Sequence, residues 1–163
     1  MDRTQRDLQE KESFFPLPPV LGWGLGAFFV ALFLGQGLAF MAANSQTSDE
    51  AVHLTAGYAY LSRQDFRLNP EHPPLIKELA ALSVYLRFGL PFEPDPDLWQ
   101  EREQWRIGRD FLYGSSIPAQ QILTWGRLPN LLLGAVLVGL IGCWAYRLWG
   151  QGAALLGMGL ASL

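Results

Sequence analysis

Two adjacent acidic residues, Asp49 and Glu50, directly follow a long apolar stretch of the sequence. Carboxylates placed just outside a bilayer can remove a proton from a hydroxyl group or hold a cation. A structural role is the alternative, because Thr47 and Glu50 have the spacing of a capping box and acidic residues stabilise the first turn of a helix. His53 lies four residues after Asp49, on the same helical face. Asp49, Glu50 and His53 therefore permit a divalent metal without requiring one, and a surface histidine is the simpler interpretation.

A second polar segment places His72 between Glu71 and two consecutive prolines. Proline restricts the backbone, so this histidine is expected to have a fixed position. Lys77 lies about one turn into the helix that Pro73 and Pro74 are expected to start. A cation near a helix N-terminus, where free backbone N–H groups already attract anions, suits a phosphate group. From the spacing alone, a proline-started helix with one solvated lysine is the commoner arrangement.

The third candidate is Arg127, which stands at the start of another apolar stretch. A permanently charged guanidinium at headgroup depth can bind a phosphate. It can equally be an interfacial anchor whose charged end reaches the lipid headgroups.

The elements that must position these residues are two apolar stretches, residues 20–43 and 128–147, in which Arg147 is the only charged side chain. As helices they are long enough, or nearly so, to cross a hydrocarbon core of about 30 Å. The length of the first stretch and the mixed charge before it favour an uncleaved anchor over a signal peptide. Residues 148–163 predict the start of a third span. We therefore predict an all-α, multi-spanning membrane protein with two full spans and a partial third.

Residues 44–127 hold most of the charge and are predicted to form a helical loop with amphipathic surface helices. Apolar residues recur at helical spacing in 51–61 and again in 75–86. The charged and aromatic segment 97–113 predicts one further helix at the membrane surface, where tryptophan rings collect.

The basic residues of the tail, residues 1–19, favour a cytoplasmic N-terminus in the cell membrane and an extracytoplasmic loop. The formal charge is −3 without a basic run, which gives no support for nucleic-acid binding. The single cysteine, Cys143, excludes a disulfide within the chain.

The order of these features resembles the N-terminal part of the GT-C superfamily of membrane glycosyltransferases. The most similar branch contains protein O-mannosyltransferases and the lipid A aminoarabinose transferase. In that family the first span leads to an acidic pair, which Asp49 and Glu50 match. The other matches are Gln64-Asp65-Phe66 with a Gly-Asp-Phe-like turn, His72 to Lys77 with a His-Pro-Pro-Leu-x-Lys segment, and Arg127 with an arginine that opens the second span.

The resemblance implies an inverting glycosyltransferase that moves a sugar from a polyprenyl-phosphate carrier to an acceptor hydroxyl at the outer membrane face. Asp49 would be the general base, and Glu50 would orient the acceptor or support the site. Lys77 and Arg127 would neutralise the departing lipid phosphate, and His72 would hold the loop or contact that phosphate. The implied partners are the lipid-linked sugar donor and membrane lipid.

Members of this family have many more spans, so the resemblance implies that the chain is the N-terminal portion of a longer enzyme. A non-catalytic membrane scaffold or assembly protein with a structured outer loop is the alternative. A transporter subunit is disfavoured, because Gln36 is the only strongly polar side chain well inside the first span.

Overall fold

A computed structural model describes residues 18–163, and every regular element in that range is a helix, as predicted. The predicted cytoplasmic tail, residues 1–19, lies almost wholly outside the described residues. In chain order the helices are α1 (Pro19–Ala43), α2 (Glu50–Arg63), α3 (Pro74–Phe88), α4 (Pro96–Glu101), α5 (Gln104–Tyr113), α6 (Ala119–Trp149) and α7 (Gln151–Ala161).

Helices α1 and α6 are long and apolar enough to cross a membrane. Only 6% of the apolar window of α1 and 17% of that of α6 are buried, whereas the core helix of a soluble protein would be mostly covered. Helix α6 begins at Ala119, well before the predicted start at residue 128, so its first turns belong to the polar part of the chain.

The segment predicted as one helix over 97–113 is two helices, α4 and α5. The break falls at Arg102, whose φ of 56° is left-handed and cannot continue a right-handed helix. Helix α7 is a short apolar helix in the region where a third span was predicted to start.

The chain divides into two compact units. The first contains the described residues up to Leu38 together with Leu132–Leu163. In it the amide of Gln36 donates to the carbonyl oxygen of Ser162 at 2.9 Å, which satisfies a polar group on an otherwise apolar helix.

The second unit, Ala39–Leu131, contains all the candidate site residues. Helix α2 lies at its centre and packs against α3 and α5. Gly57 and Gly108 allow this close packing: a Cβ at Gly57 would lie 2.1 Å from the carbonyl oxygen of Lys77. The fully buried apolar side chains of this core include Tyr58, Leu68, Val84, Leu112, Ile122 and Leu123.

Candidate functional site

Arg127 connects three segments of the second unit. Its Nε donates to Oε1 of Glu50 at 2.6 Å and one Nη donates to Oε2 at 2.7 Å, a bidentate pair between α6 and the first residue of α2. The same guanidinium donates to the carbonyl oxygens of Asn44 and Ser45, both at 2.8 Å. Four of its five N–H bonds are therefore directed at protein acceptors.

These contacts follow from the physical chemistry of helix ends. The last carbonyl groups of a helix lack intrahelical donors and carry partial negative charge. At the end of α1, Gln120 donates to the carbonyl of Met41 at 2.6 Å, while Arg127 covers the two carbonyls that follow the helix. The ring of Phe40 lies 5.5 Å from the guanidinium carbon. Arg127 thus ties the end of α1 to the start of α2.

The carboxylate of Glu50 responds to this environment. Burial by itself would raise its pKa, but hydrogen bonds from Arg127 and Thr47, together with the charge of Arg127, outweigh burial and hold the pKa of Glu50 below 4.5. The capping box predicted from Thr47 and Glu50 is half formed. Glu50 accepts from the backbone N–H of Thr47 at 3.2 Å, while Asp49 occupies the N-cap position.

Asp49 makes no capping hydrogen bond with its side chain. One carboxylate oxygen instead lies 3.2 Å from Nε2 of His53, and 56% of the Asp49 side chain is exposed. The ring of His53 meets the ring of His72 edge to face, with centroids 5.0 Å apart. The predicted residues of two distant segments therefore meet in one exposed polar cluster: Asp49, His53 and His72.

The spacing of the sequence favoured a solvated Lys77, but the structure shows it buried. It is only 4% exposed, and its ammonium donates to the carbonyl oxygens of Asn69 at 2.5 Å and His72 at 2.9 Å. The hydroxyl of Tyr60 lies 3.4 Å from the same nitrogen. Burial lowers the pKa of Lys77, with Glu71 opposing that shift. Lys77 therefore fastens the turn that carries His72.

The turn after α2 is stabilised locally as well. Gln64 ends α2 with a left-handed φ of 54°, a conformation that glycine adopts at less cost. The carboxylate of Asp65 accepts from the backbone N–H of Arg67 at 3.0 Å, and the ring of Phe66 packs on Tyr60 with centroids 4.6 Å apart.

The possible metal ligands Asp49, Glu50 and His53 do not converge on one point, because Glu50 is turned toward Arg127. Within residues 18–163 no three His, Cys, Asp or Glu side chains are grouped so that they could hold a metal ion.

A cleft of about 550 Å³ lies elsewhere in the second unit, between the Leu90–Asp95 segment and α5. None of the six predicted site residues lines it. The polar cluster is an open surface rather than a closed pocket of the described chain.

Sequence reasoning missed Tyr60, Asn69 and the carbonyls of Asn44 and Ser45. The Asn69-Pro70 pair signals a turn, and Asn69 indeed has a left-handed φ of 51°. No sequence signal marks backbone carbonyls as partners of a distant cation.

Comparisons with family models, with curated proteins and with solved structures found no match for this chain.

Proposed function

We propose that this chain is the N-terminal portion of a membrane glycosyltransferase of the GT-C type, which transfers a sugar from a polyprenyl-phosphate carrier to an acceptor hydroxyl. The observation that carries the proposal is the contact between residues that lie far apart in the sequence. Asp49 contacts His53, His53 contacts His72, and Lys77 binds the carbonyl of His72. In a second set of contacts, Glu50 binds Arg127.

Asp49 suits the role of general base. Its carboxylate is accessible, lies beside a histidine that can orient it, and follows directly after a helix of membrane-spanning length. In the proposed reaction, the oxygen of the acceptor hydroxyl bonds to the anomeric carbon. Asp49 takes the proton that this hydroxyl loses. The bond from that carbon to the phosphate oxygen breaks, and polyprenyl phosphate leaves.

The proposal gives the three basic residues different parts. His72 is exposed and can contact the phosphate directly. Lys77 adds positive charge beneath the surface that carries His72, whereas the charge of Arg127 is paired with Glu50. A phosphate that bonds either of them would have to displace a protein acceptor. In this arrangement Lys77 contributes long-range electrostatics, and Arg127 supports the segment that carries Asp49.

The turn at Gln64 is a second, weaker support. The family turn that this segment resembles has glycine where this chain has Gln64, and Gln64 has the left-handed backbone that glycine prefers.

The proposal is tested with membranes that contain the full-length gene product. They are incubated with polyprenyl monophosphates bearing labelled hexose, pentose or aminopentose, and release of free polyprenyl phosphate is measured. Asp49→Asn should reduce release by at least 100-fold, as expected when a general base is lost. The matched control is Asp97→Asn on α4, an exposed carboxylate outside the cluster, which should retain full activity. Transfer by Asp49→Asn at the unmodified rate would remove Asp49 from the reaction.

A non-catalytic scaffold remains the second candidate, and the direction of the Lys77 and Arg127 donors at protein acceptors is the observation that favours it. It predicts that none of these carriers is consumed and that Asp49→Asn leaves assembly and stability unchanged.

A further inference from the structure

Helix α3 has two apolar faces, and only one belongs to the core. Ala81 and Val84 are fully buried against the rest of the unit. The opposite face carries a leucine stripe, defined as Leu75, Leu79, Leu82 and Leu86, which recurs at helical spacing. The leucines that indicate a helix in the sequence therefore point away from the core of the unit.

Three of the four leucines are exposed within the described chain, and Leu79 is partly buried. Leu86 is 75% exposed, Leu75 is 63% exposed and Leu82 is 38% exposed. Ile76 and Tyr85, also exposed, widen the apolar surface on either side. A continuous apolar surface of this kind marks an interaction site rather than a scatter of single side chains.

Helix α3 contacts α6 through Ser83, Arg87 and Phe88, none of which belongs to the stripe. Pro129 has no N–H, so the carbonyl of Trp125 lacks its usual helical donor. The hydroxyl of Ser83 donates to that carbonyl instead. Phe88 meets the Trp125 ring at 6.4 Å, and the guanidinium of Arg87 lies 5.7 Å from it.

Trp125 lies in α6, the helix of membrane-spanning length, close to the start of its uncharged stretch. The uncharged stretch of that helix starts three residues later, about 4.5 Å further along the helix axis at 1.5 Å per residue. Tryptophan and arginine side chains together are typical of the headgroup region. Helix α3 is therefore fastened to α6 where the hydrocarbon boundary is expected.

We propose that α3 lies in the plane of the outer membrane surface, with its leucine stripe in the boundary between headgroups and acyl chains. The occupant of the exposed face is lipid. This inference stands apart from the proposed glycosyltransferase activity, since it depends on the exposed leucines, on the α3–α6 contact and on the membrane-spanning length of α6.

Helix α5 lies in the segment 97–113, which was also predicted to form a helix at the membrane surface. Its outward face carries Arg106, Arg109 and Asp110 beside aromatic side chains. A face with these charges is better suited to water than to acyl chains. The two helices therefore offer a direct contrast in the same molecule.

The experiment measures the collision of a spin label with oxygen, which concentrates in acyl chains, and with a water-soluble nickel chelate. The full chain carries Cys143→Ser and a single label at Leu86→Cys or Arg109→Cys, in nanodiscs of phosphatidylcholine and phosphatidylglycerol. Label at Leu86→Cys should collide with oxygen several-fold more often, and with nickel several-fold less often, than label at Arg109→Cys. Leu75→Cys should repeat the Leu86→Cys pattern.

Two results would overturn the inference. Collision of the Leu86→Cys label with nickel at the Arg109→Cys rate would place the stripe in water. Protection of that label from both reagents would show that protein, either a second copy or another part of the polypeptide, covers the stripe in place of lipid. Because Leu86 is so exposed, the label should not disturb folding, and a melting curve of each variant checks this.

Discussion

The second unit buries two cations in different ways. In the arginine junction (Asn44, Ser45, Glu50 and Arg127) the guanidinium faces a carboxylate and two carbonyls. In the lysine turn (Tyr60, Asn69, His72 and Lys77) the ammonium is bonded to backbone carbonyls and a hydroxyl, without a carboxylate among these partners.

Both arrangements hold the exposed cluster in place. The junction neutralises its charge and fixes the position of Asp49 through the neighbouring Glu50. The turn folds a short loop around the Lys77 nitrogen with backbone carbonyls rather than a carboxylate as its direct acceptors, which fixes His72. Each half of the cluster thus has its own support, and the His53–His72 contact joins them.

The largest loss of stability should come from Gly57→Val, which places a side chain against the backbone of Lys77. Its Cβ would lie 2.1 Å from the carbonyl oxygen of Lys77, a backbone atom that cannot move independently. We expect the free energy of unfolding to fall by about 3 kcal/mol or more. Tryptophan fluorescence in detergent measures the unfolding. Gly139→Ala, where a Cβ meets nothing within 4 Å, is the control. Equal stability of the two variants would contradict the close packing of α2 on α3.

Breaking the arginine junction should lower the free energy of unfolding by nearly as much. Arg127→Gln leaves a partly buried carboxylate and two carbonyls without their donor, at a cost of about 3 kcal/mol. Glu50→Gln removes the charge but retains the shape, so the double variant should cost less than the sum of the single ones. Strict additivity in this cycle would show that the two side chains are not coupled.

Lys77→Met should cost less, because removal of a buried charge that no carboxylate contacts offsets part of the lost hydrogen bonding. We expect a net loss of about 1–2 kcal/mol, with the unpaired carbonyls of Asn69 and His72 as its cause. The same unfolding assay measures it. A loss larger than that of Arg127→Gln would reverse the ranking of the two regions.

The arginine junction and the lysine turn should also affect stability in different pH ranges. Because the folded pKa of Glu50 is depressed, its stabilisation is present above 4.5 and is lost as the pH falls through the folded value. Because the pKa of Lys77 is lowered from 10.5, the folded state binds fewer protons just below that pH, and stability rises with pH there. Melting temperatures across both ranges test this. Glu50→Gln should flatten only the acid side, and Lys77→Met only the alkaline side.

The smallest change is Gln64→Gly, which relieves a left-handed backbone beside the lysine turn. We expect stabilisation of at most about 1 kcal/mol, set by the strain of φ near 54° against the greater freedom of glycine in the unfolded chain. A melting curve measures it. A marked destabilisation would mean that the Gln64 side chain has a role beyond this turn.

Helical periodicity and apolar length predicted α1, α2, α3 and the apolar part of α6, because these signals are local. The grouping of Asp49, Glu50, His72, Lys77 and Arg127 was expected only through the family resemblance. The orientation of the Leu75–Leu86 stripe could not be predicted, since a period of 3.6 defines an apolar face without saying whether protein or lipid covers it. The role of Lys77 was equally hidden, because its acceptors are backbone carbonyls that every sequence contains.

The His53–His72 contact joins the two halves of the exposed cluster, and a cross-link between these positions detects it. The full chain with Cys143→Ser, His53→Cys and His72→Cys is treated with a short bifunctional thiol reagent and then with trypsin, which cuts at Arg63 and Arg67 between the two positions. We expect the two peptides to remain joined in a mass spectrum, the single-cysteine variants to give no such species, and Gly57→Val to abolish it. Separate peptides from the double-cysteine protein would contradict the contact between positions 53 and 72.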